Sequence, residues 1–146
     1  MGHGGGHPGR VTLPDQLRSR LLFFAEPDNT EIVRADGTVY YSGIAPFTGA
    51  PPEFTVVGAG SMEEQVLFCL DVLERCLQSE GQSLENMVAV TVYATDMSAL
   101  MATAEHFAKR FGGAPPSSTW VGVTELAHPD QLVEITAIAA DSKDGF

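Results

Sequence analysis

Glu134 lies in the run LVEITAIAA, where apolar residues line both faces of any strand the run forms. A carboxyl group in that setting is at least partly buried, and desolvation raises its pKa unless a partner compensates. A carboxylate near neutrality can move protons, which is general acid–base chemistry. The same burial also suits a structural glutamate, hydrogen-bonded to backbone or to a neighbouring chain. A second stretch, PPSSTW at 115–120, crowds Ser117, Ser118 and Thr119 in front of Trp120. Hydroxyls supply neutral donors and acceptors. No Lys or Arg occurs between Arg110 and Lys143 to add a positive charge. On a strand, alternation puts Ser118, Trp120 and Gly122 on one face and Thr119, Val121 and Val123 on the other.

Other reactive side chains stand in weaker settings. Glu125 and His128 fall in TELAHPD, a loop in which such a pair is usually solvated, and His106 sits four residues before Arg110 on a surface helix. Cys69 and Cys76 share one helical pattern, seven residues apart. Two helical turns separate them by roughly 10 Å, beyond the about 7 Å between Cα atoms that a disulfide spans. They are expected as buried, reduced, inert thiols. His3 and His7 in the Gly-rich start lack further ligands for a metal site, and neither zinc-ligand spacing, a P-loop nor a dinucleotide fingerprint occurs.

The elements that must hold these groups follow from pattern. EIVRADGTVYYSG reads as two strands, Glu31 to Ala35 and Thr38 to Gly43, around Asp36-Gly37, the dipeptide suited to a tight hairpin. PFTGAPPEFTVVGAG reads as a loop. Ser61 with Glu64 three residues on is a capping-box pattern, and Val66, Leu70, Leu73 and Leu77 give one apolar face to a helix from Met62 to about Ser79, stopped by Gly81. MVAVTVYAT is a strand, and SALMATAEHFAKRF is a second helix closed by Gly112-Gly113. Strands near Thr119 to Val123 and Leu132 to Ala140 complete the order ββαβαββ. Helices on one face of that sheet make an α+β two-layer sandwich. Residues 1–12 read as a flexible tail, with a helical start near Pro14, and 13–146 as one domain. The 146 residues, 44% hydrophobic, suffice for one core. A formal charge of -11 argues against nucleic acid as a partner. No apolar run reaches the roughly 18 to 20 residues that span a bilayer, and the Gly-rich start has no signal-peptide core. A cytoplasmic protein without membrane contact is expected.

YYSG, VAVTVYATDMSAL, PPSSTWVGVTEL and VEITAIAA, in that order over Ile32 to Ala140, resemble the Rid family of reactive-intermediate deaminases, also called YjgF-type or endoribonuclease L-PSP. The resemblance implies a chorismate-mutase-like fold, a homotrimer with pockets between subunits, and a small-molecule substrate. The family's typical deaminating members hydrolyse 2-imino acids to 2-keto acids and ammonia, and the resemblance implies a reaction with no cofactor. It assigns Glu134 to orienting or activating water, and brings Ser42, Gly43 and Thr91 to the ligand beside Ser118, Thr119 and Trp120. Deaminating members carry an arginine at the position of Ser118 that grips the substrate carboxylate. A guanidinium fork makes two charge-assisted bonds, whereas a serine hydroxyl gives one neutral donor. The resemblance therefore implies a departure from ordinary 2-imino acid deamination, towards a small imine, enamine or conjugated carbonyl metabolite, with deamination, hydrolysis, isomerisation and dehydration all open as the reaction and a non-catalytic metabolite-binding trimer as the alternative. Trp120, facing with Ser118, either walls the pocket with its indole or fills the space the arginine leaves.

Overall fold

The hairpin forms as its turn dictates: Asp36 and Gly37 adopt φ of 47° and 80°, the positive pair that keeps the right-handed twist of β1 (Ile32–Ala35) into β2 (Thr38–Ile44). The structure, a computed structural model, describes residues 31–50 and 53–143. The expected tail and the helical start near Pro14 lie outside the described residues. Helix α1 (Met62–Ser79) opens on Ser61, whose hydroxyl accepts the Glu64 amide at 3.2 Å, and Gly81 takes φ of 72° just past its end. A 3-10 turn at Leu84–Asn86 leads into β5 (Met87–Ala94). After the helices come β6 (Ser117–Gly122) and β7 (Val133–Ala140).

Five strands form one sheet in the order β1-β2-β7-β5-β6, with β5 and β6 parallel and the other pairs antiparallel. One face carries the core. Val39, Tyr41 and Ile44 of β2, Val90, Val92 and Ala94 of β5, and alternate residues of β7 from Val133 to Ala139 bury against Val66, Leu70, Leu73 and Leu77 of α1. The fold is thus the α+β arrangement expected, with the helices on one side. The opposite face has no covering element among the described residues, and Tyr40 on it is 47% exposed.

Two details depart from the sequence reading. The stretch read as a loop contains a second hairpin, β3 (Phe47–Ala50) with β4 (Glu53–Val56), where Phe47 packs on Phe54 with ring centroids 4.6 Å apart. Its strands are four residues each and interleaved with Gly and Pro, too short for alternation to register. The second helix is two: α2 (Met97–Met101) and α3 (Ala104–Phe111). At the break, the Thr103 hydroxyl and amide both bond the Leu100 carbonyl, at 2.6 and 2.9 Å, diverting it from the helical ladder.

Two polar clips fix the sheet ends. Arg34 of β1 donates to Asp141 after β7 and to Glu80 after α1, and Gln82 links Asp141 to the Tyr41 hydroxyl. The Gln82 and Arg34 hydrogen bonds hold the Asp141 carboxyl below the usual range. Gln65 of α1, fully buried, donates to the Asp130 carbonyl at 2.8 Å and accepts the Leu132 amide at 2.8 Å, so the loop entering β7 is seated on the helix.

Candidate functional site

Glu134 is the second residue of β7 and projects to the face away from the helices, since its neighbours Val133 and Ile135 are in the core. It pairs across the sheet with Tyr93 of β5. On its other side the β2–β7 register slips between Tyr41 and Ile44, and the bulge brings Gly43 under the carboxylate. A Cβ on Gly43 would stand 2.5 Å from Glu134 Oε2 and 2.9 Å from its Cδ. Glycine is therefore what gives the carboxylate its seat.

That carboxylate is half-buried, and desolvation raises its pKa; a hydrogen bond from Gln131 Nε2 to Oε1, at 3.2 Å, pulls the other way without cancelling the rise. No Lys or Arg lies on β2, β5, β7 or residues 123–132 around it. A carboxylate raised by burial, with no cation on those elements and seated over a glycine, can take a proton from water and return it. Cys69 on α1 is fully buried, and burial pushes its thiol well up, with a smaller contribution from Glu134.

The same face brings hydroxyls into line. Thr91 pairs with Thr136 of β7 and with Thr119 of the edge strand β6, forming a row beside the Val121–Tyr93–Glu134 row. Half-buried Ser42 lies next to Gly43 at the bulge. Glu134, Ser42, Gly43, Thr91 and Thr119 thus share one region of the sheet. Ser118 and Trp120 do not. They align with the core residues Val90 and Val92 and face the helices. Ser118 helps line an apolar cleft of about 290 Å³ with Phe107, Ala108, Phe111, Gly112, Pro115 and Pro116. Trp120 is absent from that lining; its indole packs on Phe107, ring centroids 5.1 Å apart, and against the core. One chain alone does not bring the two groups into one pocket.

The weaker candidates separate from this site. Glu125 is exposed, and His106 pairs with Glu63 at 3.1 Å on the helical side. The His128 ring stands edge-on to Phe47 and Phe54, with Nδ1 accepting the Asp130 amide at 3.0 Å, a brace for the second hairpin. Cys69 and Cys76 are both buried, as expected, while His3 and His7 lie outside the described residues. Among the described residues no group of three or more His, Cys, Asp or Glu converges as metal ligands would. Gln131 went unnoticed in the sequence: DQLVE marks no period by which a loop glutamine would be read as buried.

Residues 25–141 match the family model described as Endoribonuclease L-PSP. A RutC family protein of Pyrococcus horikoshii is 29% identical over 110 residues, covering 75% of this chain and 84% of that protein. The crystal structure of RidA from an Antarctic Psychrobacter superposes with a TM-score of 0.65 at 25% identity, covering 75% of this chain and 85% of its own. A member of the YjgF family from Mycobacterium tuberculosis superposes with a TM-score of 0.61 at 29% identity, covering 75% and 83%.

Proposed function

The chain belongs to the endoribonuclease L-PSP family, the proteins also grouped as Rid or YjgF, and from that premise we propose that it is a cofactor-independent enzyme acting on a small imine, enamine or conjugated carbonyl compound. The working unit is a cytoplasmic homotrimer with its pocket between subunits. One chain supplies Glu134 with Ser42, Gly43, Thr91 and Thr119; the neighbour supplies the other side of β6, with Ser118 and Trp120. No helix among the described residues is long and apolar enough to cross a membrane, and the charge of -11 disfavours RNA as the substrate.

The observation that carries the reading is the Glu134 carboxylate, seated over Gly43 and raised by burial. In hydrolysis of an imine, it takes a proton from water as the water oxygen adds to the carbon of the C=N bond. The proton then passes to nitrogen, the C–N bond breaks, and a carbonyl and an amine or ammonia leave with both water protons on nitrogen. The substrate end near Ser118 is neutral, because an otherwise apolar cleft with one hydroxyl compensates no carboxylate charge.

Freshly generated 2-imino acids and neutral enamines, assayed side by side with native protein and Glu134→Gln, test this. Turnover of the neutral panel that the variant loses is expected. Equal turnover by both proteins would remove Glu134 from the mechanism. Saturable binding without turnover would leave the metabolite-binding trimer, the reading favoured by a serine at position 118.

A further inference from the structure

Gln131 is 1% exposed, and its amide nitrogen makes two hydrogen bonds, to the Val133 carbonyl at 3.1 Å and to Glu134 Oε1 at 3.2 Å. Its Oε1 is buried and has no partner, the one such side-chain atom among the described residues. Turning the amide over would set that oxygen against the Val133 carbonyl and the Glu134 carboxylate, both acceptors when Glu134 is ionised. The Val133 carbonyl, part of the strand, cannot exchange roles. It therefore fixes the amide with N–H outward, and the second N–H has one place to go.

We infer that Gln131 is a positioning residue for Glu134: its amide, locked by the Val133 carbonyl, is a permanent donor that aims the carboxylate and selects its proton-accepting form. The unpaired oxygen is the consequence of that lock. A buried polar atom without a partner is rare enough in folded proteins to call for such a reason. The surroundings leave the amide little competition. The titratable groups on the strands and loop around Glu134 are Tyr40 and Tyr41 of β2, Tyr93 opposite it on β5, and Glu125, His128 and Asp130 in the loop before Gln131, with the Cys69 thiol of α1 on the other side of the sheet. None of these makes a hydrogen bond to the carboxylate, and Gln131 is its only side-chain partner among the described residues. The hydrogen bond works against the desolvation that raises the group, so it widens the pH range over which Glu134 is a base.

This inference rests on Glu134 as the proton-handling group, but its test does not use turnover. Glutamate carboxyl carbons labelled with ¹³C, titrated by NMR in native protein and in Gln131→Met, give the Glu134 midpoint directly, with Glu134→Gln identifying the resonance. The methionine keeps the volume and removes the donor. The midpoint is expected to move up in Gln131→Met, and an unchanged or lower midpoint in the folded variant overturns the proposal. Should Gln131→Met not fold, the native protein still decides. The Gln131 side-chain amide resonance should shift with the Glu134 midpoint and lose that shift in Glu134→Gln. An amide resonance indifferent to the ionisation of Glu134 would overturn the coupling, whatever the catalytic assay shows.

Discussion

Glu134 and Gly43 make their predictions together, because one is the seat of the other. Glu134→Gln keeps the shape and cannot accept a proton, so turnover should fall by on the order of 10²- to 10⁴-fold. Its effect on stability has a definite sign. The folded pKa lies above the unfolded one, so the stabilisation this group contributes is fully present below the unfolded value and is lost as pH rises through the folded value. Melting curves at several pH values should therefore show native protein losing ground to Glu134→Gln across that window, with the variant no less stable at neutral pH. A purely structural glutamate would instead cost about 1–3 kcal/mol on substitution. Gly43→Ala would put a methyl 2.5 Å from Oε2, and the flexible carboxylate end must move aside. The fold and melting temperature should survive, while the rate falls on the order of 10²-fold, as a misplacement near 1 Å does. A Gly43→Ala enzyme with native kinetics would mean that the carboxylate position is unimportant.

At the level of elements, the loop from β6 to β7 carries its own turn bonds at His128 and is seated on α1 by Gln65. Gln65→Ala leaves the Asp130 carbonyl and Leu132 amide without that partner and should cost on the order of 2–3 kcal/mol, read as a lower denaturant midpoint with an unchanged slope. The strands and α1 were legible because their signals are local: a DG turn, a Ser61 cap, apolar residues at helical spacing. The partial burial of Glu134 was legible because apolar residues stand on both faces of its strand. The second hairpin, the break at Thr103 and the buried state of Gln131 were not. Each depends on contacts between residues distant in sequence or on a competing hydrogen bond, which a periodic pattern does not encode. Trp120 illustrates the boundary: alternation gave its face, while its partner Phe107 comes from an element folded over β6 by the α2–α3 crossover.

For the whole molecule, the sheet has no covering element among the described residues over the face of Tyr40, Tyr93, Ile138 and the threonine row, and three copies are expected to supply one. Equilibrium sedimentation at micromolar concentration should give a trimer, and a persistent monomer would dissolve the shared pocket. The division of the site between opposite faces of the sheet has a genetic consequence. If each pocket takes Glu134 from one subunit and the Ser118 side from the next, two different dead proteins can repair one another. Glu134→Gln and Ser118→Trp, the latter filling the cleft, should each be inactive alone. Unfolded and refolded together in equal amounts, they should regain activity, because random assembly leaves about one pocket in four with both halves intact. Were both halves drawn from the same chain, every pocket in the mixture would carry a lesion and the refolded mixture would stay silent.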